Sequence, residues 1–459
     1  NTSSRLTLQG GGGGIVGTST GDFSVTTSTY AGVSSKIAHR TDSGGWIKNN
    51  DTYFVPSGGT GLQALLGAIV AATADPGTII LEAGTHTISW TAATVINQEV
   101  TIIGNGATIN FSSTDADCSL YFSSRCHLID INFTGPASGW LASYMVRVSG
   151  ANSEIIGCSF AGAPDAGTSY LLYADATEVL VDHCMFTPAA IAGAGAVEYC
   201  IELTANAGLS LIRGCSFYCN FASTGSIELA GGVRNITVDT CYFESTATTG
   251  TTRITVSATS AYCKFTNNIW SATEASIGRI FTISSGDSGG YHLIQHNRIA
   301  ETATGTTRAS SIYVAQPYCL IDHNIIQSTN RDHGGAPDTN QDRAVIYILA
   351  HYCHVSSNLI YQAGTVQLGV VVRDTGNAAA NAVMRGSIIN DNFFAGIDGN
   401  TAGRTGYGVH VVSNATYRPR RGMICNNKFQ SDSATASYAI NTLAGGNGAD
   451  SWVVVGNAV

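Results

Sequence analysis

The segment Ser153-Glu-Ile-Ile-Gly-Cys-Ser-Phe160 contains a short pattern that recurs through most of the chain. It reads as two apolar residues, any residue, Cys, any residue and Phe. The next copies keep the Cys and are centred on Cys184, Cys215 and Cys241. Later copies keep the alternation but have Asn in place of the Cys, and they are centred on Asn268, Asn297, Asn324, Asn358, Asn392, Asn427 and Asn457. Ile131 fills the same position upstream, and successive copies lie 26 to 35 residues apart. A repeat of this length, with strand-like alternation and no helical period, predicts a solenoid of about twelve β-coils.

A second short strand precedes each copy of this pattern, as in Cys200-Ile-Glu-Leu203 and Ser226-Ile-Glu-Leu229. Its apolar residues stand two apart and point inward, so the residue between them points outward. From coil to coil these outward residues are Arg147, Tyr173, Glu202, Glu228, Thr255, Tyr313, Tyr347, His410 and Asn441. The coil through residues 279–283 has an ambiguous register. Equivalent residues on neighbouring coils of a parallel stack lie about 4.8 Å apart, so we expect one continuous column.

The first part of the chain follows a different pattern. Residues 1–57 are rich in Gly, Ser and Thr and predict an N-terminal arm or attachment region. Residues 58–112 predict a helix over 61–73 and a first coil, because apolar residues recur at helical spacing from Leu62 to Val70. Thr60 and Gln63 have the spacing of a capping box. Residues 113–459 then form the solenoid, and the helix is expected to cover its first coil.

This opening resembles the start of a known fold. A short amphipathic helix, then Gly77-Thr-Ile-Ile-Leu-Glu-Ala-Gly-Thr-His-Thr-Ile88 and Val100-Thr-Ile-Ile-Gly-Asn-Gly106, is similar to the entry of the right-handed parallel β-helix of the pectate-lyase-like superfamily. The repeated Asn resembles the asparagine ladder of that superfamily. The resemblance implies an all-β solenoid of three sheets with an N-terminal capping helix. It also implies a polysaccharide partner, a homotrimer like a phage tailspike, and a place outside the cell or on a virion.

The composition limits the classes of partner. Charged residues make up only 12% of the 459 residues, and the formal net charge is −9. The longest basic run is Arg418-Pro-Arg-Arg421. Binding to nucleic acid requires several phosphate contacts on one basic face, so we set it aside. No apolar stretch approaches the roughly 20 residues of a membrane helix, so membrane insertion is not expected.

Eight of the twelve cysteines occupy two positions of the repeat, and they form neither a metal nor a disulfide pattern. One group shares the position of Cys158, and a second group stands five residues earlier in its coils, as Cys126 does. Both positions alternate with apolar neighbours, so we interpret them as buried small side chains. No CxxC pair occurs, and a zinc site is therefore not expected. The histidines His183, His296 and His323 stand just before the repeated Cys or Asn and are interpreted as residues on the surface of a turn.

Glu202 and Glu228 are the candidate catalytic residues, because the column places two carboxyls side by side. Glycoside hydrolysis uses such a pair, one protonated as the acid and the other ionised as nucleophile or base. Residues that border the pair or share its face are the candidates for substrate binding: Arg147, Tyr173, Arg253, Tyr313, Tyr347 and His410. The tyrosines would stack on sugar rings. The alternative interpretation is a solvated acidic face with tyrosines in surface packing or a subunit contact.

Two other functions remain open from the sequence. A uronate lyase would use an Arg or His base, and Arg147, Arg253 and His410 are available. The site of such a lyase would border the loop over 330–343, where Asp332, Asp338 and Asp342 could bind Ca²⁺. A non-enzymatic protein of this fold would serve as a structural fibre, decoration or adhesin subunit.

Overall fold

The computed structural model describes the solenoid in nearly every coil. The described residues are 15–17, 23–25, 47–49, 51–72, 74, 76–92, 94–116, 118–136, 140–162, 169–188, 198–219, 225–245, 253–273, 279–286, 289–301, 310–329, 344–363, 368–373, 385–396, 406–412, 420–431, 437–442 and 452–459. Among them are one helix, α1 (Gly61–Val70), and 42 strands.

The strands, numbered along the chain, are β1 (Ile15–Gly17), β2 (Phe23–Val25), β3 (Ile47–Asn49), β4 (Thr52–Val55), β5 (Thr78–Leu81), β6 (Thr85–Ile88), β7 (Val95–Ile96), β8 (Val100–Phe111), β9 (Leu120–Phe122), β10 (Cys126–Thr134), β11 (Tyr144–Val148), β12 (Glu154–Ile156), β13 (Ser159–Ala161), β14 (Tyr170–Ala174), β15 (Leu180–Asp182), β16 (Met185–Phe186), β17 (Tyr199–Leu203), β18 (Leu211–Arg213), β19 (Ser216–Tyr218), β20 (Gly225–Leu229), β21 (Thr237–Asp239), β22 (Tyr242–Ser245), β23 (Ile254–Val256), β24 (Lys264–Thr266), β25 (Ile269–Ala272), β26 (Phe281–Ile283), β27 (Leu293–Gln295), β28 (Arg298–Glu301), β29 (Ile312–Val314), β30 (Leu320–Asp322), β31 (Ile325–Thr329), β32 (Ile346–Ile348), β33 (His354–Ser356), β34 (Leu359–Ala363), β35 (Leu368–Arg373), β36 (Ile388–Asn390), β37 (Phe393–Ala395), β38 (Gly406–Val412), β39 (Met423–Cys425), β40 (Lys428–Gln430), β41 (Ser437–Asn441) and β42 (Val453–Val455).

The strands from β4 onward form a parallel β-helix of about eleven turns, which confirms the predicted fold, whereas β1 and β2 form a separate antiparallel pair. Each coil contributes one strand to a thirteen-stranded sheet that runs from β7 through β20 to β41, called here the front sheet. The other two strands of a coil form two parallel rows. The first row contains β12 paired with β15, and the second row contains β13 paired with β16. The long strands β8 and β10 belong to both rows and join them.

A left-handed turn separates the two rows in each coil. The residue just before the repeated Cys or Asn has a positive φ, as in His183 (52°), His296 (55°) and His323 (54°). All three histidines are exposed, which confirms their interpretation as turn residues. The turn ends the strand of one row and directs the chain into the strand of the other row. Backbone N–H groups at such a corner lie inside the stack and need acceptors.

The repeated Asn supplies those acceptors. The Oδ1 of Asn324 accepts from the backbone N–H and the Nδ2 of Asn297, at 3.0 and 2.9 Å, and its own Nδ2 donates to Asn358 Oδ1 and to the carbonyl of Ile294. The same bonds continue through Asn392 and the later coils. The ladder therefore satisfies buried backbone groups coil by coil, as the resemblance implies.

The interior is a column of aromatic and small side chains. The rings of Phe186 and Phe217 stack with centroids 4.9 Å apart, and Phe217 stacks on Phe243 at 4.7 Å. The cysteines of both predicted positions are buried and free, which confirms their interpretation as small core residues. Alternation of strand residues thus produces a continuous apolar core.

The N-terminal helix covers the start of this core. Its buried face contains Leu62, Leu65, Leu66 and Ile69, and it packs against β6 and β7. The predicted capping box is wrong: Thr60 makes no side-chain cap bond, and Gln63 Oε1 instead accepts from the backbone N–H of Ser89 at 2.6 Å. Strand β4 pairs in parallel with β5, so the stack already includes Thr52–Val55 from the expected arm. Most of residues 1–50 lie outside the described residues.

Candidate active site

The outward column predicted from the sequence is present on the front sheet. Strand pairing places Arg147 beside Tyr173, Tyr173 beside Glu202, and Glu202 beside Glu228. The column continues through Thr255 to Thr282, which fills the coil whose register was ambiguous. The two glutamates are therefore direct neighbours on adjacent parallel strands, at the usual spacing of about 4.8 Å.

Glu202 and Glu228, called here the carboxyl pair, are both partly buried. Burial raises the pKa of Glu228 to about 7, with further contributions from the negative charges of Glu202 and Glu198. Burial also raises the pKa of Glu202, while a hydrogen bond from Tyr170 acts in the opposite direction. The environment thus favours one proton on Glu228 near neutral pH, because two close carboxylates resist double ionisation.

Tyr170 lies beside the pair. Its hydroxyl donates to Glu228 Oε2 at 3.4 Å. Since Tyr170 belongs to β14 and Glu228 to β20, the side chain reaches two strands along the front sheet. The next tyrosine, Tyr199, leans in the same way, and its hydroxyl hydrogen bonds Thr255 Oγ1 at 2.7 Å.

Arg147 borders the pair inside a group of aromatic rings. Its guanidinium carbon is 4.5 Å from the ring centroid of Tyr121, 5.8 Å from that of Tyr144 and 5.1 Å from that of Tyr173. Its Nη2 donates to Asp175 Oδ2 at 3.2 Å. Cation–π contacts and this ion pair hold the guanidinium against the surface, one coil before Tyr173.

Asp175 stays ionised beside this group. Burial opposes its ionisation, but hydrogen bonds from Thr204, Asn206 and Arg147 outweigh burial and lower its pKa. The Thr204 hydroxyl is 2.6 Å and the Asn206 amide 2.8 Å from Asp175 Oδ1. The pKa of Asp175 is therefore lowered, whereas the pKa values of the carboxyl pair are raised, because Asp175 accepts hydrogen bonds from three neighbouring side chains.

Three of the expected substrate-binding residues, Arg253, Tyr347 and His410, are buried. Arg253 is 5% exposed and donates to the Ser245 hydroxyl inside the coil. Arg253 directly precedes β23, and both Arg253 and Ile254 are buried, so the alternation of the strand does not hold there. Tyr347 and His410 are 4% and 1% exposed.

The burial of Tyr347 and His410 has a common cause. The outer face of the late coils is packed with apolar side chains, which form a second core cluster: Ala344, Tyr347, Leu368, Val371, Tyr407 and Val412. The ring of His410 stacks on Tyr407 with centroids 4.7 Å apart. Tyr313 lies at the border of this cluster, with the Arg279 guanidinium 3.8 Å above its ring. The open part of the column is therefore the earlier part, around the carboxyl pair.

The expected Ca²⁺ ligands Asp332, Asp338 and Asp342 lie outside the described residues. Within the described part of the chain, no group of three or more His, Cys, Asp or Glu side chains could hold a metal ion. A helix long and apolar enough to cross a membrane is likewise absent from the residues that the structure describes.

The sequence analysis did not predict the tyrosines that surround the site. Tyr144, Tyr170 and Tyr199 are register partners at the first position of three successive front strands. Tyr121 continues the outward column one coil before Arg147. The aromatic residue three positions before Arg147, Tyr173 and Glu202 is the signal that could have revealed them.

Comparisons with known proteins give similarities of fold only. No family model matches the chain, and no curated protein matches it. Among solved structures, the Dettilon tailspike is 12% identical with a TM-score of 0.46, over 83% of this chain and 64% of its own. The tailspike of E. coli bacteriophage HK620 is 15% identical with a TM-score of 0.42, over 80% of this chain and 62% of its own. The chain thus spans less than two thirds of either tailspike.

An α-1,3-glucanase of the GH87 family from Streptomyces thermodiastaticus is 14% identical with a TM-score of 0.43, over 88% of this chain and 66% of its own. At these values the activity has to be argued from the side chains of the site.

Proposed function

We propose that this protein binds a polysaccharide on the front sheet and cleaves it by hydrolysis, with Glu228 as acid and Glu202 as nucleophile or base. The observation that carries the proposal is the carboxyl pair on register-paired strands, with the pKa of Glu228 raised to about 7. Two carboxyls with different proton affinities, a few ångströms apart, match the requirement of glycoside hydrolysis.

The reaction assigned to the pair balances in protons. Protonated Glu228 gives its proton to the glycosidic oxygen as the bond to the anomeric carbon breaks. In one route ionised Glu202 takes a proton from the water that attacks that carbon. In the other route Glu202 attacks the carbon itself, water then cleaves the bond between the sugar and Glu202, and Glu228 takes the proton of that water. Register pairing places Glu202 and Glu228 on adjacent strands, about 4.8 Å apart along the sheet, and this spacing is compatible with either route.

The surroundings of the pair support a sugar ligand. Tyr173 and the rings around Arg147 form an aromatic surface directly beside Glu202. Apolar faces of sugar rings pack on such surfaces, and the neighbouring polar groups offer hydrogen bonds to hydroxyls. The site extends along four adjacent strands, β11, β14, β17 and β20, which suits an extended chain of sugars.

A uronate lyase fits this site less well. Arg253 and His410, two of its three candidate basic groups, are buried away from the carboxyl pair. Arg147 is already paired with Asp175 and enclosed by tyrosines. Glu198, Glu202 and Glu228 would repel a uronate carboxylate at the point where a lyase must neutralise it.

The test is a screen of purified microbial polysaccharides for new reducing ends. We expect cleavage of at least one neutral glycan, with activity lost in both Glu202→Gln and Glu228→Gln. Glu154→Gln, on the first row away from the front sheet, is the matched control and should keep full activity. Products that absorb in the ultraviolet as unsaturated uronates would instead indicate a lyase.

The second candidate, a non-enzymatic assembly subunit, is favoured by one observation. Ile325, Leu359 and Phe393 form an exposed apolar column on the second row, and Ile269 lies beyond Arg298 in the same row; the four apolar side chains are each 36–48% exposed. A homotrimer outside the cell or on a virion, as the resemblance implies, would bury such a column. Light scattering measures the oligomer, and glycan binding or assembly without any product would favour this candidate over hydrolysis.

A further inference from the structure

We propose that Cys200 and Cys219 form a disulfide bond that closes one coil of the solenoid into a covalent ring. Both cysteines stand outside the two repeat positions that hold eight of the twelve cysteines. Both are buried and free in this structure, and their sulfur atoms are 3.6 Å apart. The inference concerns the stability of the coil, and it stands apart from the proposed hydrolysis.

The two thiols meet at the corner between the second row and the front sheet. Cys200 lies in the front strand β17, and Cys219 directly follows the second-row strand β19 of the same coil. An earlier coil uses this corner in the same way, because the side chain of Met145 fills the space beside Gly162. The corner therefore packs the residue that follows the second row against the front strand of its own coil. In the coil of Glu202, both residues are cysteines.

This approach differs from that of cysteines stacked in one position of the repeat. Cys184 and Cys215 lie in neighbouring coils, and the backbone N–H of Cys184 donates to Cys215 Sγ at 3.4 Å. Side chains at equivalent positions of parallel strands point in the same direction, which is unfavourable for the torsion of about 90° that a disulfide requires. Cys200 and Cys219 belong to different sides of the coil, and their sulfurs converge. A movement of roughly 1.5 Å brings the two sulfurs to bonding distance.

The bond forms by exchange with a small-molecule disulfide such as oxidised glutathione. The thiolate of one cysteine attacks a sulfur of that disulfide and releases one glutathione thiolate, and the second cysteine then displaces the other. The two cysteines lose two electrons and two protons, and both glutathione molecules leave as thiols. Burial raises the pKa of Cys200, so the exchange takes place while the coil folds, before the thiols are enclosed. Oxidising compartments supply such an oxidant.

The bond encloses residues 200–219, which contain Glu202 and the whole of β18 and β19. Closing a loop of this length removes conformational entropy from the opened coil, whereas the folded coil already holds the two ends together. The opened state is therefore less populated in the oxidised protein. Amides of the ring should exchange about 100-fold more slowly in the oxidised protein than in the reduced protein.

The test compares protein made in the bacterial periplasm, which is oxidising, with protein made in the cytosol, which is reducing. Free thiols are blocked with N-ethylmaleimide in denaturant, and linked peptides are identified by mass spectrometry. We expect a bond between Cys200 and Cys219 in the periplasmic protein only, with Cys184 and Cys215 blocked by the reagent in both preparations. Hydrogen exchange of residues 201–203 then measures the closure of the ring.

Cys200→Ser should lose both the bond and the added protection, whereas Cys184→Ser is the matched control and should keep both. If the chain does not accumulate in the periplasm, the cytosolic protein is unfolded in urea and refolded with oxidised and reduced glutathione, and the same bond is expected. Free thiols at Cys200 and Cys219 in the oxidised preparation, or a bond from either residue to a different cysteine, would overturn the inference. Equal exchange in the oxidised and reduced proteins would contradict the closed ring.

Discussion

The asparagine ladder predicts that Asn324→Ala destabilises the solenoid far more than an equivalent change at the last coil. Asn324 is fully buried, and its side chain takes part in four hydrogen bonds with Asn297, Ile294 and Asn358. Alanine leaves the backbone N–H of Asn297 without its acceptor in the dry interior. It also deprives the carbonyl of Ile294 and Asn358 Oδ1 of a donor.

The magnitude follows from these lost partners. Leaving one buried backbone donor unsatisfied costs about 1–3 kcal/mol, and weakening the remaining bonds adds roughly 1 kcal/mol more. We expect a loss of about 3 kcal/mol. Asn457 makes the same bonds to Asn427, but it is only part-buried. Water can replace its side chain, so Asn457→Ala should cost about 1 kcal/mol or less.

Hydrogen exchange read by mass spectrometry measures this effect locally. The amide of Asn297 should exchange about 100-fold faster in Asn324→Ala, whereas the coils around Phe160 should keep their protection because each coil contacts only its neighbours. Equal effects of Asn324→Ala and Asn457→Ala on denaturant stability, or unchanged exchange at Asn297, would refute the role given to the ladder.

Two further predictions concern the core and the carboxyl pair. Phe217→Ala should lower the free energy of unfolding in urea by about 3–5 kcal/mol, because it opens a cavity between two stacked rings. Tyr262→Ala on the surface should lower it by less than about 1 kcal/mol. Similar losses in the two variants would contradict the interior stack. The raised pKa of Glu228 means that the folded state binds its proton more tightly than the unfolded state. Its contribution to stability is therefore full below pH 4.5 and is lost as the pH rises through about 7. Thermal unfolding at pH 5 and pH 8 should show a smaller pH effect in Glu228→Gln than in the wild type, and an identical effect would refute the shifted pKa.

The repeat was sufficient to predict the coils and the neighbourhood of Glu202 and Glu228. Both follow from a two-residue alternation and a constant strand order, which depend only on local pattern. The same reasoning failed at Arg253, because two successive residues turn inward where the front strand begins. The alternation of inward and outward residues holds within a strand, but it does not hold at the corner of the coil that precedes the strand.

Other features depended on side-chain reach and on neighbours. Tyr347 and His410 occupy outward positions, yet apolar neighbours on the same face bury them. Tyr170 contacts a carboxyl two strands away, and strand order alone does not specify the direction in which a long side chain leans. The sequence therefore predicted where the carboxyls meet, but not which side chains contact them.

The most direct test of the central proposal is cleavage of a polysaccharide in water enriched in ¹⁸O. Hydrolysis at the carboxyl pair predicts one ¹⁸O atom in each new reducing end, and no product in either Glu202→Gln or Glu228→Gln. Products without ¹⁸O, or full activity in the two variants, would contradict the assignment of Glu202 and Glu228 as the catalytic pair.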